Sequence, residues 1–148
     1  MLPLAPVLRA DDLSRVTWSC VHFAKTGDVS PQLRATLQRA GVAIFDLNGE
    51  AVRTRDDLLR GIADAMQFPD YFGMNWDALI DSLRDLPDRH PAEGYVLFLH
   101  AAEWIWRQGL PWVGELVEVW LTAAEESGHD GIPLHLVFVG VGSATMTA

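Results

Sequence analysis

A chain of 148 residues, 49% of them hydrophobic, has the length and apolar content of one globular domain. Twenty acidic against eleven basic residues leave a net charge of −9, which argues against a binder of the nucleic-acid backbone and for a basic partner. The single cysteine, Cys20, excludes an internal disulfide and a thiolate metal cluster and fits a reducing compartment, so the expected location is cytoplasmic. The run Met1 to Leu8 lacks a basic leader and is broken by Pro3 and Pro6, which makes it a poor signal peptide. No stretch reaches the roughly 18 consecutive apolar residues of a membrane span.

Val16 to Ala24 carries β-branched and aromatic residues suited to a strand, without clean alternation. Ser30 is a cap, Pro31 fits a first helical position, Leu33 and Leu37 share a face and Gly41 ends the segment, which predicts a short amphipathic helix. Val42 to Leu47 reads as a strand closed by the Asn48-Gly49 turn. Thr54 and Asp57 form a capping arrangement for a helix carrying Leu58, Leu59, Ile62 and Met66 and running to about Gln67.

Tyr95 to His100 is an almost continuous apolar run, as in a strand covered on both faces. Pro111 separates a tryptophan-rich segment, Trp104 to Gly109, from a longer helix with Leu116, Val119, Trp120 and Ala123 on one face, ending near Gly128. Pro133 to Val139 gives a third strand, and residues 141–148 read as a flexible tail. Three apolar strands separated by helices predict an α/β domain with a parallel sheet.

Phe68 to Leu83 does not reduce to core packing. Asn75 caps a helix whose Trp76, Leu79, Ile80 and Leu83 form an apolar stripe, while Asp77 and Asp81 project together from another face. Carboxylates at i and i+4 repel by a few tenths of a kcal/mol. The helix dipole offsets part of this at Asp77, which lies in the first turn, but not at Asp81. An acidic helix face is ordinarily just solvated. Here the preceding loop sets Tyr71, Phe72 and Gly73 beside the carboxylates, and aromatic surface next to converging charge is the make-up of a binding hot spot.

The pattern Pro69-x-Tyr71-x-Gly73-x-Asn75-x-Asp77-Ala78-Leu79-x-Asp81, with the strand Val42 to Leu47 and Asn48-Gly49-Glu50 after it, resembles the barstar family of intracellular ribonuclease inhibitors. The resemblance runs from about Val42 to Val139 and leaves out residues 1–41. It implies a parallel three-stranded sheet covered by helices. It further implies a loop and helix that plug a ribonuclease active site, with Asp81 in the pocket for a substrate phosphate and Asp77 on a neighbouring basic group. Tyr71, Phe72, Gly73, Asn75, Trp76 and Ile80 would supply contact surface, and Glu126 would match a further acidic contact. Carboxylates can imitate phosphate towards arginine and lysine, and a charge of −9 speeds encounter with a cationic enzyme.

Three positions depart from the family pattern: Ile80 replaces a tryptophan, Phe72 a tyrosine, and Arg84 lies three residues after Asp81, within pairing reach. The domain plan that follows is an extension, 1–41, packed on a barstar-like domain, 42–140, and a tail, 141–148. The expected function is a non-enzymatic inhibitor of a basic extracellular-type ribonuclease or nuclease toxin, acting in toxin–antitoxin immunity. It would be monomeric and would have no cofactor, metal, nucleic acid or membrane partner. The alternative is the same fold retargeted to a partner that is not a nuclease, with the extension in its recognition surface.

The five histidines lack metal-ligand spacing, and no nucleophile elbow, phosphate loop or dinucleotide fingerprint is present. An acid/base role for Asp77 and Asp81 fits poorly, because neighbours on one exposed helix face cannot flank a substrate. The six tryptophans read mainly as aromatic core, and Cys20 as a small buried residue.

Overall fold

The computed structural model describes residues 8–69, 73–108 and 110–140. In chain order the elements are α1 (Ala10–Leu13), β1 (Val21–Lys25), α2 (Pro31–Arg39), β2 (Val42–Asn48), α3 (Arg55–Ala65), α4 (Trp76–Arg84), α5 (Leu86–Arg89), β3 (Gly94–His100), α6 (Ala102–Gln108), α7 (Leu110–His129) and β4 (Leu134–Gly140). The strands form one parallel sheet in the order β1-β4-β3-β2.

The α/β class and the parallel sheet agree with the reading of the sequence; the number of strands does not. There are four strands, not three. The additional one is β1, which pairs with β4 from Val21↔Leu136 to Lys25↔Gly140. It occupies only the second half of the Val16 to Ala24 run, because Val16 to Ser19 stay exposed and only Val21 onward reaches the edge of β4. Without β1 the N–H and C=O groups along that edge of β4 would lack strand partners.

Period-two alternation sorts the strand side chains onto two faces. Tyr95, Leu97 and Leu99 of β3 and Leu134, Leu136 and Phe138 of β4 join a large cluster with residues of α3, α4, α5, α6 and α7. Val96, Phe98, Val137 and Val139 face the other way, onto Leu13 of α1 and Leu33 and Leu37 of α2. The result is a three-layer sandwich. A histidine pair fastens the thin layer to the sheet. His135 Nε2 donates to the Arg15 carbonyl at 2.8 Å, which leaves its Nδ1 to accept from His22 Nε2 at 2.9 Å. Burial, and then the neighbouring His135 ring, push His22 down to about 4; burial also lowers His135.

Local chemistry sets the helix ends. The Leu33 N–H donates to Ser30 Oγ at 3.1 Å, and Gly41, at φ +82°, ends α2 in the left-handed conformation that glycine adopts without strain. Asp57 N–H donates to Thr54 Oγ1 at 3.1 Å at the start of α3. That helix stops at Ala65, short of Gln67, whose φ of +57° cannot continue it. The tryptophan-rich segment and the longer helix are separate, as expected, and Pro111 marks the start of the second. It sits in the first turn of α7, where its missing N–H is no loss, and the tryptophan segment is itself helical as α6. Trp120 is fully buried, whereas Trp18 is fully exposed and Trp76, Trp104, Trp106 and Trp112 are half-buried. Cys20 is a buried free thiol, raised from its ordinary value by burial. The tail expected over residues 141–148 lies outside the described residues.

Candidate functional site

The acidic helix α4 lies on the thick side of the sheet, against α7. Its loop is pinned at both ends. Phe68 is buried at the entrance, under the Arg89 guanidinium 5.3 Å from its ring centroid. At the exit Met74 takes φ +56° and packs against the core, and Asn75 caps the helix. Ala78 N–H donates to Asn75 Oδ1 at 2.8 Å while Asn75 Nδ2 donates to the Gly73 carbonyl at 3.2 Å, so one side chain fixes both the helix start and the turn before it. Arg89 Nη2 donates to the Ser82 carbonyl at 2.7 Å and secures the far end.

Helical spacing then divides α4 into two faces. Leu79 and Leu83 are buried, and Trp76 and Ile80 are half-buried against the same cluster. Trp76 Nε1 is buried with no hydrogen-bond partner among the described residues. Asp77 and Asp81 are exposed, together with Gly73 and Asn75 on the loop side. A depression of about 190 Å³ opens beside Asp81, between Pro69 and Gly73 on one side and Asp85 and Arg89 on the other. Tyr71 and Phe72 lie outside the described residues.

The described residues around Gly73 do not hold it small. Among the described residues a Cβ there would meet Ala78 Cβ at 3.4 Å and Asn75 Nδ2 at 3.5 Å, both ordinary contacts, and the left-handed conformation in this turn is taken by Met74. Packing among the described residues therefore leaves the small size of residue 73 unexplained.

Glu126 reaches the site from α7. Arg84 donates from Nε to Glu126 Oε2 at 3.0 Å and from Nη2 to Oε1 at 3.2 Å, and its Nη1 donates to Asp81 Oδ1 at 3.1 Å. One guanidinium thus ties α4 to α7 and touches the central aspartate. This fork pushes Arg84 up from its ordinary value and holds Glu126 down. The Arg84–Asp81 contact was visible in the sequence as an i,i+3 pair; the fork to Glu126, 42 residues away, gave no sequence signal.

Two further features lie apart from α4. Asp46 accepts both Arg34 Nη1 and Nη2, at 2.9 and 2.7 Å, and lies 2.7 Å from His100 Nε2. Burial works against its charge, but these hydrogen bonds pull its carboxyl well below the usual carboxylate range. A groove of about 530 Å³ runs between Val16 to Cys20 and Leu121 to His135. Among the described residues no three His, Cys, Asp or Glu side chains group as metal ligands, and no helix is long and apolar enough to cross a membrane.

Comparison with curated protein sequences returns no match. Residues 42–139, about two-thirds of the chain, match the family described as Barstar (barnase inhibitor). The matched span holds β2, β3, β4 and every helix from α3 to α7, the acidic helix among them, while α1, β1 and α2 fall outside it. On that match the chain belongs to the barstar family.

Proposed function

We propose that this protein inhibits a basic ribonuclease by seating α4 and its loop in the enzyme's active site. The observation that carries this reading is the division of α4: a face anchored by Leu79 and Leu83, and an opposite face presenting Asp77 and Asp81 to solvent. Rigid, exposed carboxylates offer arginine and lysine the acceptor chemistry of a phosphate without a bond to be cleaved. Asp81 is the central group and Asp77 its neighbour. Gly73 and Asn75 permit close approach, while Trp76 and Ile80 brace the helix and offer their exposed edges. Tyr71 and Phe72 supply aromatic contact from the loop. The net charge of −9 steers the protein towards a cationic enzyme, so association slows as salt rises. The proposed setting is the cytoplasm, where the inhibitor protects its own cell.

The test is titration of the purified protein into ribonuclease assays with barnase and with the ribonucleases secreted by the source organism. Stoichiometric inhibition that is lost with Asp81→Ala supports the reading. Undiminished RNA cleavage by every enzyme in the panel overturns it.

A second reading, a barstar-fold module directed at a partner that is not a nuclease, draws on Arg84, which occupies part of the acidic face. Affinity capture followed by partner identification separates the two. Recovery of a ribonuclease through Asp81 excludes the retargeted module.

A further inference from the structure

We infer that Glu126 acts on the bound enzyme through Arg84, as a positioning residue that holds an internal guanidinium off Asp81, and not by touching the enzyme itself. The inference rests on the inhibitor reading and concerns how its central carboxylate is kept available.

Arginine can offer a carboxylate two parallel N–H groups, and that fork is its strongest arrangement. Arg84 spends its fork on Glu126, with bonds of 3.0 and 3.2 Å, and only a single N–H, at 3.1 Å, on Asp81. Asp81 Oδ2 has no hydrogen-bond partner among the described residues, and the side chain as a whole is 70% exposed. An incoming cation can therefore take the open oxygen while Arg84 stays on Glu126.

Removing Glu126 changes the competition. Arg84 is the next turn's neighbour of Asp81 on the same helix, and with its fork released it can turn two N–H groups onto that carboxylate. It then competes with the enzyme's own arginine or lysine for the same oxygens. Arg84 sets how strongly Asp81 accepts an outside cation, and Glu126 sets Arg84. The family pattern places a direct acidic contact near Glu126; in this chain that carboxylate is already engaged by its own arginine.

The experiment is a double-mutant cycle with barnase as the probe, run with a charge-matched control. Glu125→Ala removes the same charge from the adjacent position of α7, which lines the groove on the helix's other side. Arg84→Gln is expected to tighten binding about fivefold, the upper end for an exposed ion pair. Glu126→Ala is expected to weaken it about threefold beyond Glu125→Ala. Glu126→Ala added to Arg84→Gln is expected to weaken binding no more than Glu125→Ala added to Arg84→Gln does.

A second readout needs no enzyme. In 15N-labelled free protein the Arg84 Nε–H resonance should move in Glu126→Ala and stay in place in Glu125→Ala. If Glu126→Ala keeps its full penalty in the Arg84→Gln background, Glu126 is a direct contact, and if Arg84→Gln weakens binding, Arg84 does not compete for Asp81; either result overturns the inference. If the wild-type protein binds no ribonuclease, the inhibitor reading falls first and takes this assignment with it. An Arg84 resonance indifferent to Glu126→Ala also overturns the inference, whatever the enzyme does.

Discussion

The two faces of the sheet are covered by different parts of the chain. On one face, five helices drawn from the span that matches the family, α3 to α7, bury Leu97, Leu99, Leu136 and Phe138 and carry the acidic helix outward. On the other, α1 and α2, both outside that span, bury Val96, Phe98, Val137 and Val139. The strand between them, β1, also closes the edge of β4. The contrast separates two jobs. The thin layer completes the fold, and the thick layer presents the site, with the sheet between them.

The largest test of that separation removes the thin layer. A chain cut to residues 42–140 would expose four fully buried side chains and an unpaired strand edge. We expect it to lose cooperative thermal unfolding and to aggregate, as followed by circular dichroism and light scattering. A soluble fragment with a sharp transition would show that the layer is dispensable.

A matched pair of substitutions sharpens the contrast. Leu37→Ala, in the fully buried centre of the thin layer, should lower stability by about 2–5 kcal/mol in urea unfolding while leaving inhibition intact in the folded protein. Asp81→Ala should do the reverse. An exposed position changes stability by about 0.5 kcal/mol or less, whereas a charge lost from a desolvated pair across an interface weakens binding on the order of 100-fold. Equal effects of both substitutions on affinity would mean that the layers are coupled.

The histidine pair where the sheet meets the segment after α1 should carry the pH dependence. His22 and His135 are held neutral in the folded state, below their ordinary values. The unfolded chain therefore takes up protons that the folded chain refuses, beginning near pH 6.5 and continuing towards pH 4. Their contribution is complete above that window and is lost as the pH falls through it. His22→Gln should flatten the change in urea midpoint between pH 7 and pH 5. An unaltered slope would place the titrating group elsewhere.

Local signals made most of the helices and the inner strands legible. Ser30, Thr54 and Asn75 are capping residues whose side chains act within three positions, and all three cap as their spacing predicts. The apolar runs of β3 and β4 announce strands covered on both faces. The fourth strand was not legible in the same way. Val21 to Lys25 alternates weakly, with Phe23 exposed and Lys25 at its end, because it is an edge whose place is set by β4, more than a hundred residues later. The same limit hid the fork between Arg84 and Glu126 and the pairing of His22 with His135, since neither has any periodicity to read. Asp77 and Asp81 could be seen to share a face; that Asp81 has one oxygen engaged and one open could not.

The smallest expected change in stability falls at Gly73 and bears most directly on how the loop is used. Glycine is forced where φ is left-handed or where a Cβ would strike a neighbour, and among the described residues no neighbour stands in the way of one here. Gly73→Ala should therefore leave the free protein as stable as before, or raise its stability by about 0.4–1 kcal/mol through lower entropy of the unfolded chain. If the position is small because another backbone approaches it, the added methyl group must instead appear as lost affinity for the ribonuclease, carried mainly by faster dissociation. Surface plasmon resonance on Gly73→Ala, beside its urea midpoint, reads both quantities. Unchanged affinity would take Gly73 out of the interface and confine recognition to α4, and a drop in stability would return the glycine to the fold.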